Sequence, residues 1–483
     1  MRRPPVPLGR ECRAMSAAPG IVLAAPASGS GKTTVATGLI GALRRAGRRV
    51  APFKVGPDYI DPGYHGLAAE RPGRNLDPVL VGHDRIAPLY RHGARDCDIA
   101  VVEGVMGLFD GRIDEQAADP VAEGSTAQVA SLLGLPVILV VDARGHSQSL
   151  AALLHGFATF DSGVRLGGVV LNRVGSARHE QVLRAACDRV GLPVLGALPR
   201  LAELEVPSRH LGLIPAVEHG LAARRAVDAM TDLAARHIDL AAVAALAAAP
   251  EPGPSWDAVR ELADDVAPPE GPDPVIAVAG GPAFTFGYAE HRELLTAAGA
   301  RVAVIDPLHD TLPAEAAGLV LPGGFPEEHA GALAANTGLR AAVAERARAG
   351  LPIHAECAGL LYLTRSLDGH PMAGLIDAVA EFGPRLTLGY REAVALADSV
   401  LWRTGERVRG HEFHRTRLVE PGGAPPAWGW RTTGEQVREG ALVHRVHASY
   451  LHTHPAGNPG AVRRFVAAAR AHQRTRPAVP ARW

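Results

Sequence analysis

The chain reads IVLAAPASGSGKTT at residues 21–34, where an apolar run passes through a Gly-rich turn into an Ala-rich helical pattern. This order is typical of a P-loop, in which backbone N–H groups and a helix N-terminus bind phosphate. We predict that Lys32 contacts the β/γ oxygens of ATP and that Thr33 binds Mg²⁺. Pro26 replaces the first glycine of the usual GxxxxGK[ST] pattern. The predicted nucleotide-binding residues here are Gly29, Ser30, Gly31, Lys32, Thr33 and Thr34.

Further apolar runs alternate with helical stretches after this segment. They read VAPFKV, IAVVEGVM, PVILVVDA and GGVVLNRV. Short buried strands separated by helices are typical of a parallel sheet with crossover helices. The sequence therefore predicts an α/β fold, with a doubly wound parallel sheet over residues 20–246.

A second domain is predicted after a change in composition. Residues 247–274 contain seven prolines and one short helical stretch (256–264), which indicates a linker. From residue 275 the runs VIAVAG, RVAVID, GLVLPGG and PIHAECAG predict another α/β domain, up to residue 470. Beyond Arg385 the pattern predicts an antiparallel extension. Residues 1–19 are expected to be a disordered leader, with the start at Met1 or Met15, and residues 471–483 a tail.

Composition excludes several functional classes. The 483 residues exceed the roughly 250–300 that one core supports, so two or more domains are expected. Lys plus Arg and Asp plus Glu each number 50, which argues against binding nucleic acid or anionic lipid. The four cysteines are far apart, which favours a reducing compartment. With no apolar span of membrane length and no secretion signal, we expect a cytoplasmic protein that does not bind membranes.

Polar side chains follow several predicted strands. Glu103 ends IAVVE, at the edge where doubly wound sheets bind ligands, which suggests a Mg²⁺ role. Asp58 and Asp61 lie in KVGPDYIDPGYH and suit either a metal site or a turn. Asn172 ends VVLN and suits either adenine recognition or a strand cap. Ala27 occupies the position where partition-type ATPases carry a second lysine, which disfavours a dimerising motor.

A candidate thiol site lies in the second domain. Cys357 follows PIHAE and precedes AGLLYL, a strand, sharp turn and helix typical of a nucleophile elbow. A helix N-terminus lowers a thiol pKa and offers N–H groups to an oxyanion. A small buried side chain is the usual role of a lone cysteine, and we prefer it for Cys97 and Cys187.

A thiol nucleophile needs a base and an oxyanion site. Histidines cluster near the end of the chain, and among them we choose His452 as the base. Gly323 and Gly324 follow the strand GLVL and offer N–H donors, although glycines also suit a plain turn. The other histidines of the cluster are His444, His447 and His454.

Taken together, these segments resemble the cobyrinic and hydrogenobyrinic acid a,c-diamide synthase family. The resemblance covers nearly the whole chain, and it implies a dethiobiotin-synthetase-like ATP-binding sheet fused to a class I glutamine amidotransferase domain. That domain would keep Cys357 and His452 and lack the usual third acidic member. The segments that carry the resemblance are SGSGKTT at 28, FKVGPDYIDPGYH at 53, VEGVMGLFDG at 102, RHLGL at 209, GGFPEEH at 323, AECAGLLYL at 355, GHEFHRT at 410 and ASYLHTH at 448.

The resemblance implies a two-site reaction in cobalamin biosynthesis. Glutamine would be hydrolysed at Cys357, and ATP with Mg²⁺ would activate the a and c acetates of a corrin macrocycle as acyl phosphates for attack by ammonia. A protected path would carry the ammonia between domains. The implied metal ligands are Thr33, Asp58 and Glu103, and the implied substrate residues are Tyr59, Asp61, Asp110, Arg209 and His210.

Three alternatives stay open on the sequence. A cobyric acid synthase would amidate propionates, and another amidase would act on a nickel sirohydrochlorin. A non-catalytic nucleotide switch that chaperones a metal or tetrapyrrole would use the P-loop and the 21 histidines without Cys357 chemistry. Whether cobalt is in the ring, and whether the chain forms a homodimer, are also open.

Overall fold

The computed structural model describes most of the chain. The predicted leader before residue 17, His210 and the tail beyond residue 475 lie outside the described part. The described residues are 17–113, 121–161, 163–200, 208–209, 212–213, 220–263, 271–420, 422–432 and 434–475.

Among the residues that the structure describes, the N-terminal sheet has seven strands. In chain order they are β1 (Gly20–Ala24), β2 (Val50–Val55), β3 (Arg74–Leu76), β4 (Ile99–Glu103), β5 (Val137–Asp142), β6 (Leu166–Val174) and β7 (Val194–Pro199). Across the sheet the order is β3-β2-β4-β1-β5-β6-β7, and every neighbouring pair is parallel. The predicted doubly wound sheet is confirmed. Its central strands are buried on both faces, which explains their continuous apolar runs.

The sheet order brings three loops together. Strands β1, β4 and β2 are neighbours, so the P-loop, the residues after Glu103 and the turn 56–61 meet at one edge. The helices of this half are α1 (Lys32–Arg45), α2 (Asp61–Ala69), α3 (Pro78–Val81), α4 (Ile86–Gly93), α5 (Thr126–Leu133), α6 (Leu150–Thr159), α7 (Ala177–Asp188), α8 (Leu221–His237) and α9 (Leu240–Leu246). A short hairpin, β8 (Ser208–Arg209) with β9 (Gly212–Leu213), precedes α8.

The second α/β domain contains the four predicted strands. They are β10 (Val275–Ala279), β11 (Arg301–Ile305), β12 (Ala316–Leu321) and β13 (Ile353–Glu356). The hairpin of β20 (Ala441–Val443) and β21 (Val446–Ser449) extends this sheet, in the order β11-β10-β12-β13-β21-β20. Because β21 pairs in parallel with β13, the chain near His452 leaves the sheet beside Cys357.

The predicted antiparallel extension is confirmed for its first two segments, whereas the third, residues 441–455, contains the β20–β21 hairpin that joins the α/β sheet instead. The main hairpin of the extension is β16 (Val379–Ala395) with β17 (Arg407–Glu420), supported by β14 (Ser366–Leu367), β15 (His370–Pro371), β18 (Trp428–Arg431) and β19 (Gln436–Glu439). The helices of this half are α10 (Ala258–Leu262), α11 (Ala289–Ala297), α12 (Ala330–Ala335), α13 (Thr337–Arg348), α14 (Ala358–Leu363) and α15 (Pro459–Thr475). None of the helices in the described ranges has the length and apolar character that a bilayer span needs.

The described part of the predicted linker is packed. Ala248 bonds with Gly20 through both backbone groups, at 2.7 and 3.1 Å. Trp256 is buried, and its ring centroid lies 4.9 Å from that of His92. The short helix is α10, inside the predicted stretch 256–264. One apolar core includes Leu89, Trp256 and Leu294 and so runs through both domains. The domain boundaries themselves stay a prediction.

This packing predicts that Trp256→Ala lowers the free energy of unfolding by about 3–5 kcal/mol, since it removes a buried aromatic side chain. Equilibrium denaturation in urea measures the change. Val259→Ala is the matched control, because Val259 is 63% exposed in the same segment, and it should cost less than about 0.5 kcal/mol. Equal, small effects of the two substitutions would show that the segment is a detachable spacer.

Candidate active sites

The P-loop is built on two glycines in left-handed conformations. Gly29 has φ 78° and Gly31 has φ 90°, values that L side chains rarely adopt. Gly31 caps α1, so the helix N-terminus faces the loop. Lys32 is buried, and its Nζ donates to the carbonyl of Met106 at 2.5 Å. Burial lowers the pKa of Lys32, and the neighbouring Lys54 lowers it further. A phosphate would give this ammonium an anionic partner.

Two carboxylates contact the hydroxyl of Thr33. Its Oγ1 lies 2.7 Å from Oε1 of Glu103 and 3.2 Å from Oδ2 of Asp61. Asp58, the predicted metal ligand, is placed differently: its Oδ1 accepts from the backbone N–H groups of Ile60 and Asp61, as in a turn. The structure therefore brings Asp61, rather than Asp58, to Thr33 and Glu103.

Lys54 and His65 complete this cluster, and neither was predicted from the sequence. Lys54 Nζ lies 2.6 Å from Asp61 Oδ2 and 3.0 Å from Glu103 Oε1, while His65 Nε2 lies 2.6 Å from Glu103 Oε2. Burial would raise the pKa of Glu103, but Lys54 and His65 hold it below its usual value. Burial, together with Asp58 nearby, raises the pKa of Asp61. A lysine inside an apolar strand was the available signal, because buried cations are nearly always paired.

The other predicted nucleotide and substrate residues lie around the loop. Asn172 Nδ2 donates to the Ser30 carbonyl at 3.0 Å, so in this state its amide supports the P-loop. Asp110 Oδ2 accepts from the N–H of Gly107 at 2.9 Å, in the loop that also holds Met106. Arg209 lies in β8, and its side chain is not among those described. The proposed contacts of these residues with substrate stay predictions.

Cys357 occupies the predicted elbow. It lies between β13 and α14 with φ 47° and ψ −98°, a strained conformation for a residue with a Cβ. Its N–H donates to the Ser449 carbonyl at 2.7 Å, which ties the elbow to β21. Burial raises the pKa of the thiol, whereas the N–H groups of Ala358 and Gly324 act in the opposite direction. Gly324, a predicted oxyanion donor, therefore lies beside the sulfur.

His452 is placed beside the other predicted oxyanion residue. A Cβ added at Gly323 would lie 2.3 Å from Cε1 of His452, so the imidazole packs directly on this glycine. His452 is fully buried, and its backbone pairs with that of His411 at 2.8 and 2.9 Å. The other predicted histidines are elsewhere: His444 in the turn of the β20–β21 hairpin, His447 against Trp428, and His454 against Tyr288.

Tyr59 joins the two sites. Its ring stacks on Phe286 at a centroid distance of 4.8 Å and lies 5.2 Å from the ring of His452. Its hydroxyl accepts from the hydroxyl of Tyr288 at 2.9 Å. Asp61, two residues further along the same turn, contacts Thr33 of the P-loop. One short segment of the first domain thus touches both the base and the phosphate site.

Family models and curated relatives match this chain. A CobQ/CobB/MinD/ParA nucleotide-binding domain model matches residues 21–214, and a CobB/CobQ-like glutamine amidotransferase domain model matches residues 275–459. A hydrogenobyrinate a,c-diamide synthase of Mycobacterium tuberculosis is 62% identical over 92% of this chain and 97% of its own. The chain belongs to the hydrogenobyrinate a,c-diamide synthase family. A member from Streptomyces coelicolor is 55% identical over 93% of this chain and 97% of its own.

Membership of the a,c-diamide synthase family confirms several predictions. The chain is a glutamine-hydrolysing, amide-forming ligase with a nucleotide-binding N-terminal domain. The non-catalytic nucleotide switch is therefore wrong. A cobyrinate a,c-diamide synthase of Gloeobacter violaceus is also similar, at 42% identity over 92% of this chain and 96% of its own. The individual site residues stay predictions that the geometry above supports.

The contact between Gly323 and His452 gives a test. We predict that Gly323→Ala lowers glutamine-dependent activity at least about 10-fold, because the new methyl group displaces the imidazole, while activity with ammonium salt is kept. Steady-state rates with each nitrogen source measure both effects. Gly338→Ala is the control, since a Cβ there meets no atom within 4 Å, and its rates should match the wild type. Unchanged glutamine-dependent rates in Gly323→Ala would contradict the placement of His452.

Proposed function

We propose that the protein amidates the a and c acetate carboxylates of hydrogenobyrinic acid, with ATP as the activating substrate and glutamine as the nitrogen source. The observation that carries this proposal is the high identity to hydrogenobyrinate a,c-diamide synthases along nearly the full chain. The two sites support it, since one suits thiol chemistry on an amide and the other suits phosphoryl transfer.

At the thiol site, Cys357 would attack the side-chain amide of glutamine while His452 takes the thiol proton and returns it to the leaving ammonia. The N–H groups of Gly324 and Ala358 lie beside the sulfur and would stabilise the oxyanion. Water would then hydrolyse the thioester to glutamate. Because His452 is fully buried, this proton transfer would take place away from bulk water.

At the phosphate site, the P-loop backbone and Lys32 would hold the triphosphate of ATP. Thr33, Glu103 and Asp61 fit Mg²⁺, because a hydroxyl and two carboxylates within 3.2 Å are hard oxygen donors beside a phosphate-binding loop. Such an ion would neutralise phosphate charge. We propose Asp61 as a ligand in place of Asp58. The described residues contain no group of three or more His, Cys, Asp or Glu side chains set for a metal.

The carboxylate of the substrate would attack the γ-phosphate of ATP to give an acyl phosphate and ADP, and ammonia would then attack the acyl carbon and displace phosphate. Tyr59 lies where the first domain contacts the thiol site, and this contact supports direct transfer of ammonia from the thiol site to the phosphate site. This ring lies against His452, and Asp61 in the same turn lies at the phosphate site. An interface that excludes water here would protect ammonia from protonation. A cytoplasmic location agrees with the use of ATP and glutamine, and a homodimer stays a prediction that light scattering would test.

Cobyrinic acid, which contains cobalt, is the second candidate substrate. The similarity to cobyrinate a,c-diamide synthases supports it, although at 42% identity rather than 62%. Offering hydrogenobyrinic and cobyrinic acid in competition, with mass spectrometry of the products, distinguishes the two. We expect the diamide of the cobalt-free ring to form first. Amidation of propionates or of a nickel sirohydrochlorin instead would contradict the proposal.

Because the two sites catalyse separate half-reactions, we predict that two variants lose different activities. Cys357→Ala should lose glutamine-dependent amidation and keep ammonia-dependent amidation, because only the first needs the thiol. Lys32→Ala should lose both by at least about 100-fold, because activation of the carboxylate precedes attack by either nitrogen source. Product formation is measured with glutamine and with ammonium chloride. Cys97→Ala serves as the control with full activity. Ammonia-dependent synthesis at the wild-type rate in Lys32→Ala would refute the role of the P-loop.

A further inference from the structure

The carboxylate of Glu356 lies beside the base of the thiol site. Its Oε2 is 3.7 Å from Nδ1 of His452. Its Oε1 accepts from Thr453, at 3.1 Å from the N–H and 3.0 Å from the hydroxyl, and lies 3.2 Å from Nε2 of His354. Neither the resemblance nor the sequence pattern assigned Glu356 a role. We propose that Glu356 is a positioning residue that orients His452 and takes the place of the acidic member that the family resemblance implies is missing.

His452 needs such a partner. The ring is fully buried, and in the described part of the structure neither of its nitrogens has a hydrogen-bond partner. Buried polar atoms are normally paired, so this imidazole has an unmet requirement. Within the described residues, Glu356 is the acidic residue within ion-pair distance of it. Hydrogen bonds of catalytic groups are often long without substrate and shorten when it binds. A modest rotation of the Glu356 side chain would complete the hydrogen bond to His452.

Backbone pairing between strands places Glu356 near His452. Glu356 is the last residue of β13 and pairs with Ser449 of β21, three residues before His452. Cys357 follows Glu356 directly and bonds to the carbonyl of Ser449. Glu356 therefore ends β13 and Cys357 follows it directly, while His452 lies three residues beyond β21 and is held by backbone pairing with His411. Catalytic groups on such rigid elements are held more precisely than groups on loops.

The charge of Glu356 suits the partner of a catalytic base. Burial acts to raise the pKa of Glu356, but His354 and His452 hold it well below its usual value, so the group is an anion. An anion at Nδ1 would keep the proton on that nitrogen and leave Nε2 free to accept the proton of the thiol. Glu356 touches no reacting atom in this scheme and acts through His452. This inference rests on the proposed glutaminase mechanism.

The competing explanation is a structural one, in which Glu356 only anchors Thr453 and His354. Two isosteric variants separate the explanations. Glu356→Gln keeps a carbonyl oxygen for Thr453 and removes the charge. Thr453→Val removes a hydroxyl bonded to the same carboxylate and keeps the charge. A positioning role predicts that only the first variant harms glutamine hydrolysis.

We expect Glu356→Gln to lower kcat for glutamine hydrolysis about 100-fold, the size of a general-base effect, with KM for glutamine changed less than about twofold. Thr453→Val should lower kcat less than about threefold. Both variants should keep ammonia-dependent amidation and a cooperative melt. Equal loss in the two variants, or loss of the ammonia-dependent reaction in Glu356→Gln, would overturn the proposal in favour of the structural explanation.

A double-mutant cycle tests whether Glu356 acts through His452. The rate of alkylation of Cys357 by iodoacetamide, followed by peptide mass spectrometry, can be measured even when turnover is lost. Glu356→Gln should slow alkylation about 10-fold in the wild-type background and less than about twofold in His452→Ala. Equal slowing in both backgrounds would overturn the proposal. Because hydrolysis and alkylation need no macrocycle, failure of the proposed corrin substrate would leave this test intact and would be recognised separately.

Discussion

The ion pair between Lys54 and Asp61 fixes the turn through which the two halves of the molecule meet. Its atoms are 2.6 Å apart and both side chains are buried. Removing one partner of such a pair leaves an uncompensated buried charge, which costs about 3–5 kcal/mol. The pair holds Asp61 at the hydroxyl of Thr33. Since two residues of extended chain span at most about 7 Å, Tyr59 is thereby held close to the same site while its ring rests on His452.

The domains around this turn behave as one packed body. Arg74 of β3 pairs with Glu290 of α11 at 2.6 Å, and Tyr390 of the β16–β17 hairpin donates to Asp77 at 3.0 Å. The apolar core that includes Trp256 continues behind these contacts. We infer that a shared core of this kind limits the entry of water into the interface. This is the physical condition that transfer of ammonia between two active sites requires.

Local patterns made most of the fold and part of the site predictable. The P-loop and the Cys357 elbow each depend on fewer than fifteen consecutive residues, and each is found as expected. Strands β3 and β7 were missed, because one has three residues and the other is interrupted by glycine. Lys54, His65 and Glu356 were missed for another reason. Their partners are up to 96 residues away: the pairing of β2 with β4 places Lys54 opposite Glu103, α2 carries His65 to the same carboxylate, and the pairing of β13 with β21 brings Glu356 towards His452.

We propose that ammonia passes from Cys357 to the phosphate site without mixing with solvent. This proposal is tested most directly by running the reaction with amide-¹⁵N glutamine in a large excess of unlabelled ammonium chloride and measuring the isotope content of the diamide. The closed interface at Tyr59 predicts that both new amides carry mainly ¹⁵N. A product with the isotope ratio of the bulk ammonia pool would contradict it.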